Sequence, residues 1–171
     1  MESLKNLIRE VPDFPTPGIL FKDITTLLAD AEGLRRAIDC LADPYRDVPL
    51  DKVVGIESRG FIFGAAVAER LGVGFVPARK QGKLPARTVR VEYALEYGTD
   101  VVEMHEDALA GGQRVLIVDD LLATGGTARA VADLVTGQGA EVRALAFLIE
   151  LDALSGRERL AGHDVFTVLH Y

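Results

Sequence analysis

The chain has 171 residues, 49% of them hydrophobic and 26% charged, which is the composition of one globular domain. Its single cysteine, Cys40, rules out a disulfide framework, and its longest uncharged run, Gly60 to Ala68, is too short for the ~20 residues of a membrane-spanning helix. The 19 basic and 26 acidic side chains leave a net charge of −7, which disfavours general nucleic-acid binding because that affinity comes from neutralised phosphates.

The first eleven residues place Leu4, Leu7, Ile8 and Val11 at helical spacing, so a helix is predicted over 2–11. This charged start has no apolar signal core, so a soluble cytoplasmic protein is expected. Pro12, Pro15, Pro17 and Gly18 then make DFPTPG a loop. Leu34, Ile38, Leu41 and Tyr45 share one face of a second helix, limited by Pro44. Cys40 lies on that helix and is expected in the core. KVVGIE (52–57) reads as a buried strand. After SRG, a helix runs to Gly72. GFVPAR (74–79) is another strand, followed by the turn-rich KQGKLPART.

TVRVEYALEYGTDVVEM has β-branched, alternating ends, and reads as two strands joined by a long, mobile connection. RVLIV (114–118) is a buried strand, DDLLATGG a loop, and Thr127 to Gln138 a helix. EVRALAFLIE is a strand and DVFTVLHY a short final one. Strands thus alternate with helices, and runs such as VLIV are apolar on both faces. The fold class is α/β, with a mostly parallel central sheet flanked by helices, and residues 1–171 are expected to form a single domain. Ligands on such sheets bind beyond the carboxyl ends of the strands. The loops that matter therefore begin at Glu57, Arg79 and Asp119.

Two features carry chemistry. From Arg70 to Val91 there is no acid, only Arg70, Arg79, Lys80, Lys83, Arg87 and Arg90. Such a segment suits a small anionic ligand or is a solvated loop; charge alone leaves both open. The sharper feature is VLIVDDLLATGGTA (115–128). Ala123, Thr124, Gly125, Gly126 and Thr127 offer backbone N–H groups at a helix N-terminus, and two hydroxyls, which is a phosphate cradle. Asp119 and Asp120 would repel that phosphate. They suit sugar hydroxyls or a magnesium shell, so a phosphorylated ribose is implied. Neither a Walker loop nor a dinucleotide fingerprint is present.

The string at 115–128 resembles the phosphoribosyl-diphosphate motif of the type I phosphoribosyltransferase family. With DFPTPGILFKDIT (13–25), GIESRGFIFG (55–64), ARKQGKLPA (78–86) and EYALEYG (92–98), the likeness spans nearly the whole chain and points to the adenine-using branch. It implies the family's fold, with a small hood and a flexible catalytic loop. It also implies a reaction: adenine displaces diphosphate from 5-phosphoribosyl 1-diphosphate, giving AMP, with Mg2+ on the diphosphate through substrate and water and no direct protein ligand. A homodimer is implied, with no nucleic-acid or membrane partner. The alternatives are a transferase for xanthine or hypoxanthine, a non-catalytic phosphoribosyl-diphosphate-sensing regulator, and a non-catalytic AMP-binding module, against which stand Glu96, Arg59 and the basic loop. The FPTPG and LEYG segments speak against the first. Against the second stand the absence of spare length for a DNA-binding extension and the acidic charge.

Carried over by position, the resemblance gives Asp119 and Asp120 to the ribose hydroxyls and residues 123–127 to the 5-phosphate. Ser58, Arg59, Arg79, Lys80 and Lys83 go to the diphosphate, partly from a neighbouring subunit, with a cis peptide expected between Glu57 and Ser58. Leu20, Phe21, Lys22 and Leu151 fall to adenine, with Phe21 stacking and the backbone of Leu20 and Lys22 reading the purine edge. Lys22 stands where many relatives have arginine, and a backbone contact makes that exchange neutral for specificity. Glu57 stands where many have aspartate. Glu96 is expected at the imidazole side of the base, as a catalytic group with Arg59, Asp119 and Asp120. Without the resemblance it would read as a surface acid. Tyr97 is expected to seal the closed loop. His105, His163 and His170 show no metal-ligand spacing and are expected to be structural.

Overall fold

A computed structural model describes residues 2–94 and 98–171. It divides into two compact units, residues 1–40 and 41–171.

In the first unit the predicted helix over 2–11 does not form. The chain makes one turn, α1 (Glu2–Lys5), and then strand β1 (Arg9–Pro12), which pairs antiparallel with β2 (Leu20–Asp23). Leu4 and Ile8 are buried as their spacing foretold, but Val11 lies opposite Phe21 across the ladder. Pairing to β2 takes these residues out of the helix, and Pro12 could not have donated within one. The loop between the strands is the predicted DFPTPG segment. Asp13 Oδ1 there accepts from the Gly18 N–H at 2.8 Å, and the Phe14–Pro15 peptide is cis. A short helix α2 (Thr25–Ala29) follows, then α3 (Ala31–Ala42), whose last two residues fall in the second unit. Tyr45, predicted on this helix, sits in a separate 3-10 turn at Asp43–Tyr45 that begins just before Pro44.

The second unit is a seven-stranded sheet. Its strands are β3 (Lys52–Ile56), β4 (Gly74–Lys80), β5 (Thr88–Ala94), β6 (Thr99–His105), β7 (Arg114–Leu122), β8 (Glu141–Glu150) and β9 (Val165–His170). They lie in the order β5-β6-β4-β3-β7-β8-β9. The five from β4 to β9 are parallel, and β5–β6 forms an antiparallel hairpin at the β4 edge. Helix α4 (Gly60–Leu71) links β3 to β4, α5 (Gly126–Gly137) links β7 to β8, and α6 (Gly156–Arg159) precedes β9. Gly72 ends α4 at φ +70°, as predicted.

Val115 to Val118 are fully buried, as strands covered on both faces require. Val115 and Ile117 share one core with Val54, Val131, Val135 and Phe147. Two readings are corrected. DDLL is not loop, because β7 continues to Leu122. The long connection is not there either: pairing from Thr88↔His105 to Ala94↔Thr99 leaves only 95–98 between the strands. Among the described residues no helix is long and apolar enough to cross a membrane.

Candidate active site

Parallel register brings the three chemically loaded loops together. Gly55 pairs with Val118, and Ile56 with Ala78, so Glu57, Arg79 and Asp119 emerge side by side at one edge of the sheet. From β3 the chain crosses to β4 on one side, whereas β7 continues to β8 on the other. The edge between β3 and β7 is therefore a topological switch point, where α/β sheets open a crevice. A cavity of ≈ 490 Å³ lies there, lined by Glu57–Arg59, Arg79, Lys80, Tyr93, Asp100 and residues 119–128.

Its floor is the acid pair. Asp120 is buried, with Oδ2 2.9 Å from Arg59 Nε but without a hydrogen bond aligned on it. Asp119 keeps some surface open to the cavity although protein surrounds its carboxylate, and its Oδ1 accepts from the Asp120 N–H at 2.9 Å. Burial pushes Asp119 well above the ordinary carboxylate value, and the Asp120 charge adds to this. Burial also raises Asp120, with Arg59 pulling the other way. Gly60, unremarked in the sequence, makes this floor possible: a Cβ there would stand 2.5 Å from Asp119 Oδ1 and 3.1 Å from Val118 O.

Residues 123–127 form the loop into α5. Gly125 has φ +80°, and a Cβ on it would meet Gly156 O at 2.4 Å. Gly156 in turn packs so closely that its own Cβ would be 2.2 Å from Ala123 O. The loop is thus braced by α6, which the sequence reading missed. The N-terminus of α5 stands behind it, and the unpaired N–H groups of a helix start suit an anion.

The basic arm lies across from the loop. The Glu57–Ser58 peptide is cis, where that turn was expected. Arg79 Nε donates to Glu57 Oε2 at 2.6 Å, and its guanidinium sits 5.7 Å from the Phe61 ring centre. Lys80 Nζ lies 3.1 Å from Asp100 Oδ2. Ser58, Arg59, Arg79 and Lys80 line the cavity. Lys83 does not: its side chain is exposed on the following turn, and its carbonyl accepts from Arg79 Nη1 at 3.2 Å. Two further lining residues, Tyr93 and Asp100, escaped the sequence reading. Alternation along β5 puts Val89, Val91 and Tyr93 on the face packed against the core, which was the available signal. Burial raises the Tyr93 phenol.

In the first unit, Phe21 is half-buried and meets Phe14 edge-on, ring centres 5.1 Å apart. Leu20 is 47% exposed. The Lys22 side chain is buried, and its ammonium pairs with Glu10. In the second unit, Leu151 follows β8, its N–H donating to Leu122 O at 3.0 Å. Glu96 and Tyr97 lie outside the described residues. His105 and His163 remain unremarkable, but His170 does not. Its Nδ1 is 2.9 Å from Asp152 Oδ1 and 3.8 Å from Glu150 Oε2, which Arg157 Nε also contacts at 2.9 Å. Cys40 is a free, half-buried thiol rather than a fully buried one.

The sequence matches the phosphoribosyl transferase domain over residues 24–169. It is 63% identical to the adenine phosphoribosyltransferase of Solibacter usitatus over 171 residues, covering 100% of this chain and 99% of that one. The crystal structure of adenine phosphoribosyltransferase from Thermoanaerobacter pseudethanolicus superposes with a TM-score of 0.97 at 53% identity, covering 99% of both chains. That of the Saccharomyces cerevisiae adenine phosphoribosyltransferase, in complex with an imino-altritol bisphosphate and adenine, gives 0.92 at 41% identity, covering 98% of this chain and 97% of that one.

Proposed function

This chain belongs to the phosphoribosyl transferase domain family, and we propose that it salvages adenine, transferring the 5-phosphoribosyl group of 5-phosphoribosyl 1-diphosphate to the base and releasing AMP and diphosphate. One arrangement carries this reading. A glycine-bearing helix N-terminus, two neighbouring acids and three basic side chains face a single cavity, as a phosphorylated ribose with a diphosphate at C1 requires.

In the reaction N9 of adenine bonds to C1 of the ribose, the C1–O bond to diphosphate breaks, and the N9 proton leaves the base. The N–H groups and hydroxyls of residues 123–127 hold the 5-phosphate. Asp119 and Asp120 accept from the ribose hydroxyls and oppose the positive charge growing on the sugar. Arg59, Arg79 and Lys80 hold the leaving diphosphate, with Ser58 at the turn. Glu96 is assigned to the imidazole side of the base as proton acceptor. Tyr97 is assigned to closure, and Leu20, Phe21, Lys22 and Leu151 to adenine.

The oxygen-rich floor suits a hard cation such as magnesium, coordinated by substrate oxygens and water next to the cavity-facing Asp119. When bound, magnesium neutralises the diphosphate charge. The functional unit is proposed to be one domain over 1–171, acting in the cytoplasm as a homodimer. The match to one relative over all 171 residues supports the single functional unit.

The test is incubation with magnesium, 5-phosphoribosyl 1-diphosphate and, in turn, adenine, hypoxanthine, xanthine and guanine. AMP and stoichiometric diphosphate from adenine are expected. Nucleotide from another base in preference to adenine would redirect the specificity. Donor binding without any nucleotide would favour a sensor.

A further inference from the structure

Four polar side chains form a continuous line from the phosphate loop into the β5–β6 hairpin. Thr127 Oγ1 is 3.1 Å from the Tyr93 hydroxyl, which is 3.3 Å from Asp100 Oδ2, which is 3.1 Å from Lys80 Nζ. The direction of every proton in this line follows from a donor count. Burial pushes the Asp100 carboxyl up, but the Val101 N–H and the Lys80 ammonium outweigh it and hold it below its usual value. Asp100 is therefore ionised at neutral pH and can only accept. The single Tyr93 proton goes to Asp100, so the Thr127 proton must go to Tyr93. Before any phosphate binds, the Thr127 hydroxyl is already spent.

A phosphate oxygen can only accept at that position. To bind it, Thr127 must turn its proton into the cavity, which leaves two hydroxyl oxygens 3.1 Å apart with no proton between them. The contact is restored only if Tyr93 turns its proton from Asp100 to Thr127. We propose that occupation of the loop by the 5-phosphate reverses the Thr127–Tyr93 hydrogen bond and releases Tyr93 from Asp100. Tyr93 is thus a positioning residue that reports phosphate binding to the hairpin bracketing residues 95–97. Asp100 is left to Lys80, one of the groups assigned to the diphosphate. The inference rests on the assignment of the 5-phosphate to this loop.

The chain has four tyrosines and no tryptophan, so the near-ultraviolet tyrosine band is open to measurement. Loss of a carboxylate acceptor shifts that band to the blue and raises tyrosine emission. Ribose 5-phosphate should produce this change in the wild type and in Thr127→Ser, whereas diphosphate alone should not. In Tyr93→Phe the change should vanish, with ribose 5-phosphate bound as tightly as by wild type or up to about tenfold tighter, because no internal hydrogen bond is given up. Should Tyr93→Phe fold poorly, Asp100→Ala carries the same test: its band should start in the shifted position and barely move. If Thr127→Ala weakens ribose 5-phosphate but the wild-type band stays still, the reversal is wrong and the phosphate assignment stands. The reversal is equally wrong if the change persists in Tyr93→Phe or appears with diphosphate alone. If Thr127→Ala binds ribose 5-phosphate as well as wild type, the Thr127 hydroxyl does not hold the phosphate and the reversal fails, while failure of the wild type to bind ribose 5-phosphate at all would overturn the phosphate assignment itself.

Discussion

Arg59 places its Nε 2.9 Å from Asp120 Oδ2, so within the acid pair the cation stands on the second carboxylate. The strongest charged neighbour of Asp119 is Asp120 itself. The two acids therefore differ in cost. Asp119, surrounded by protein and beside a like charge, is raised well above 3.8 in the folded state. Folded protein then binds more protons than unfolded protein between 3.8 and the raised value. Stability falls as pH rises through that window, and the cost is fully present above it.

Asp119→Asn removes the charge yet keeps an oxygen to accept from the Asp120 N–H. It is expected to melt above the wild type at neutral pH, each ~1 kcal/mol appearing as about 2–4 °C in a chain of this size. The advantage should disappear in acid, where the wild-type carboxyl is protonated. Transfer activity should fall by about tenfold or more, since a charge-assisted hydrogen bond to the ribose is lost. Asp119→Asn together with Asp120→Asn should lose roughly a hundredfold or more. Melting curves across pH and kcat/KM on the same samples decide it. An Asp119→Asn protein less stable than wild type at neutral pH would show that the pair is not a stored cost.

Glycines in and beside the phosphate loop should separate sharply by position. Gly125→Ala combines φ +80° with a Cβ 2.4 Å from Gly156 O, and Gly156→Ala sets a Cβ 2.2 Å from Ala123 O. Both contacts are with backbone and cannot be relieved by a rotamer. Each variant should bind ribose 5-phosphate poorly and melt lower. Gly137, at the far end of α5, has open space around it, and a Cβ added there would meet nothing within 4 Å. Gly137→Ala should stabilise by about 0.5–1 kcal/mol with binding unchanged. Titration calorimetry and melting of the three variants test the bracing of the loop by α6.

The register that aligns the site has its own anchor. Asp51 Oδ2 accepts from the Arg114 N–H at 2.8 Å and from Arg114 Nε at 2.9 Å, just before Lys52 pairs with Val115. The Arg114 side chain, with its backbone N–H, lowers the Asp51 carboxyl to about 2. An acid depressed on folding contributes stability above its unfolded value of 3.8 and loses it as pH falls through 2. Asp51→Asn should therefore lower the urea midpoint at about pH 5 and flatten its decline between about pH 4 and 2. An unchanged acid slope would assign that decline to other carboxylates.

The parallel core was legible because buried central strands need apolar residues on both faces, and VLIV and VVGI supply them. The phosphate loop and acid pair were legible because their chemistry is contiguous, from Asp119 to Thr127. What was hidden depends on approach between distant segments. Nothing local marks Gly60 or Gly156, since each is glycine on account of an oxygen far away along the chain. Tyr93 belongs to the site only because β5 folds back on β6 beside α5. At the N-terminus, Leu4 and Ile8 are buried at helical spacing, yet cross-strand pairing with β2 overrides the pattern after one turn. A four-residue strand set among prolines and a glycine offers no periodicity to read.

The base side tests the expectation that specificity is read by backbone. On that expectation, a fixed carbonyl near Leu20 or Lys22 would accept from the 6-amino group of adenine, and a fixed N–H would donate to N1. A 6-oxo purine inverts both groups, so each contact becomes repulsive or unpaired, and discrimination of ~10⁴ is within reach of such a site. The Lys22 side chain is nevertheless not idle, because it is buried and paired with Glu10 across the β1–β2 ladder. Lys22→Ala should thus destabilise that ladder and raise KM for every base alike, leaving the adenine-to-hypoxanthine ratio of kcat/KM unchanged. Lys22→Arg, which keeps the charge, should be near neutral in both. Phe21→Ala should weaken adenine by about 1–3 kcal/mol through loss of a stacking face, with the ratio again preserved. Steady-state kinetics with both bases on wild type and the three variants give the answer. A Lys22→Ala protein that gains hypoxanthine activity relative to adenine would place the specificity in the side chain and not in the backbone.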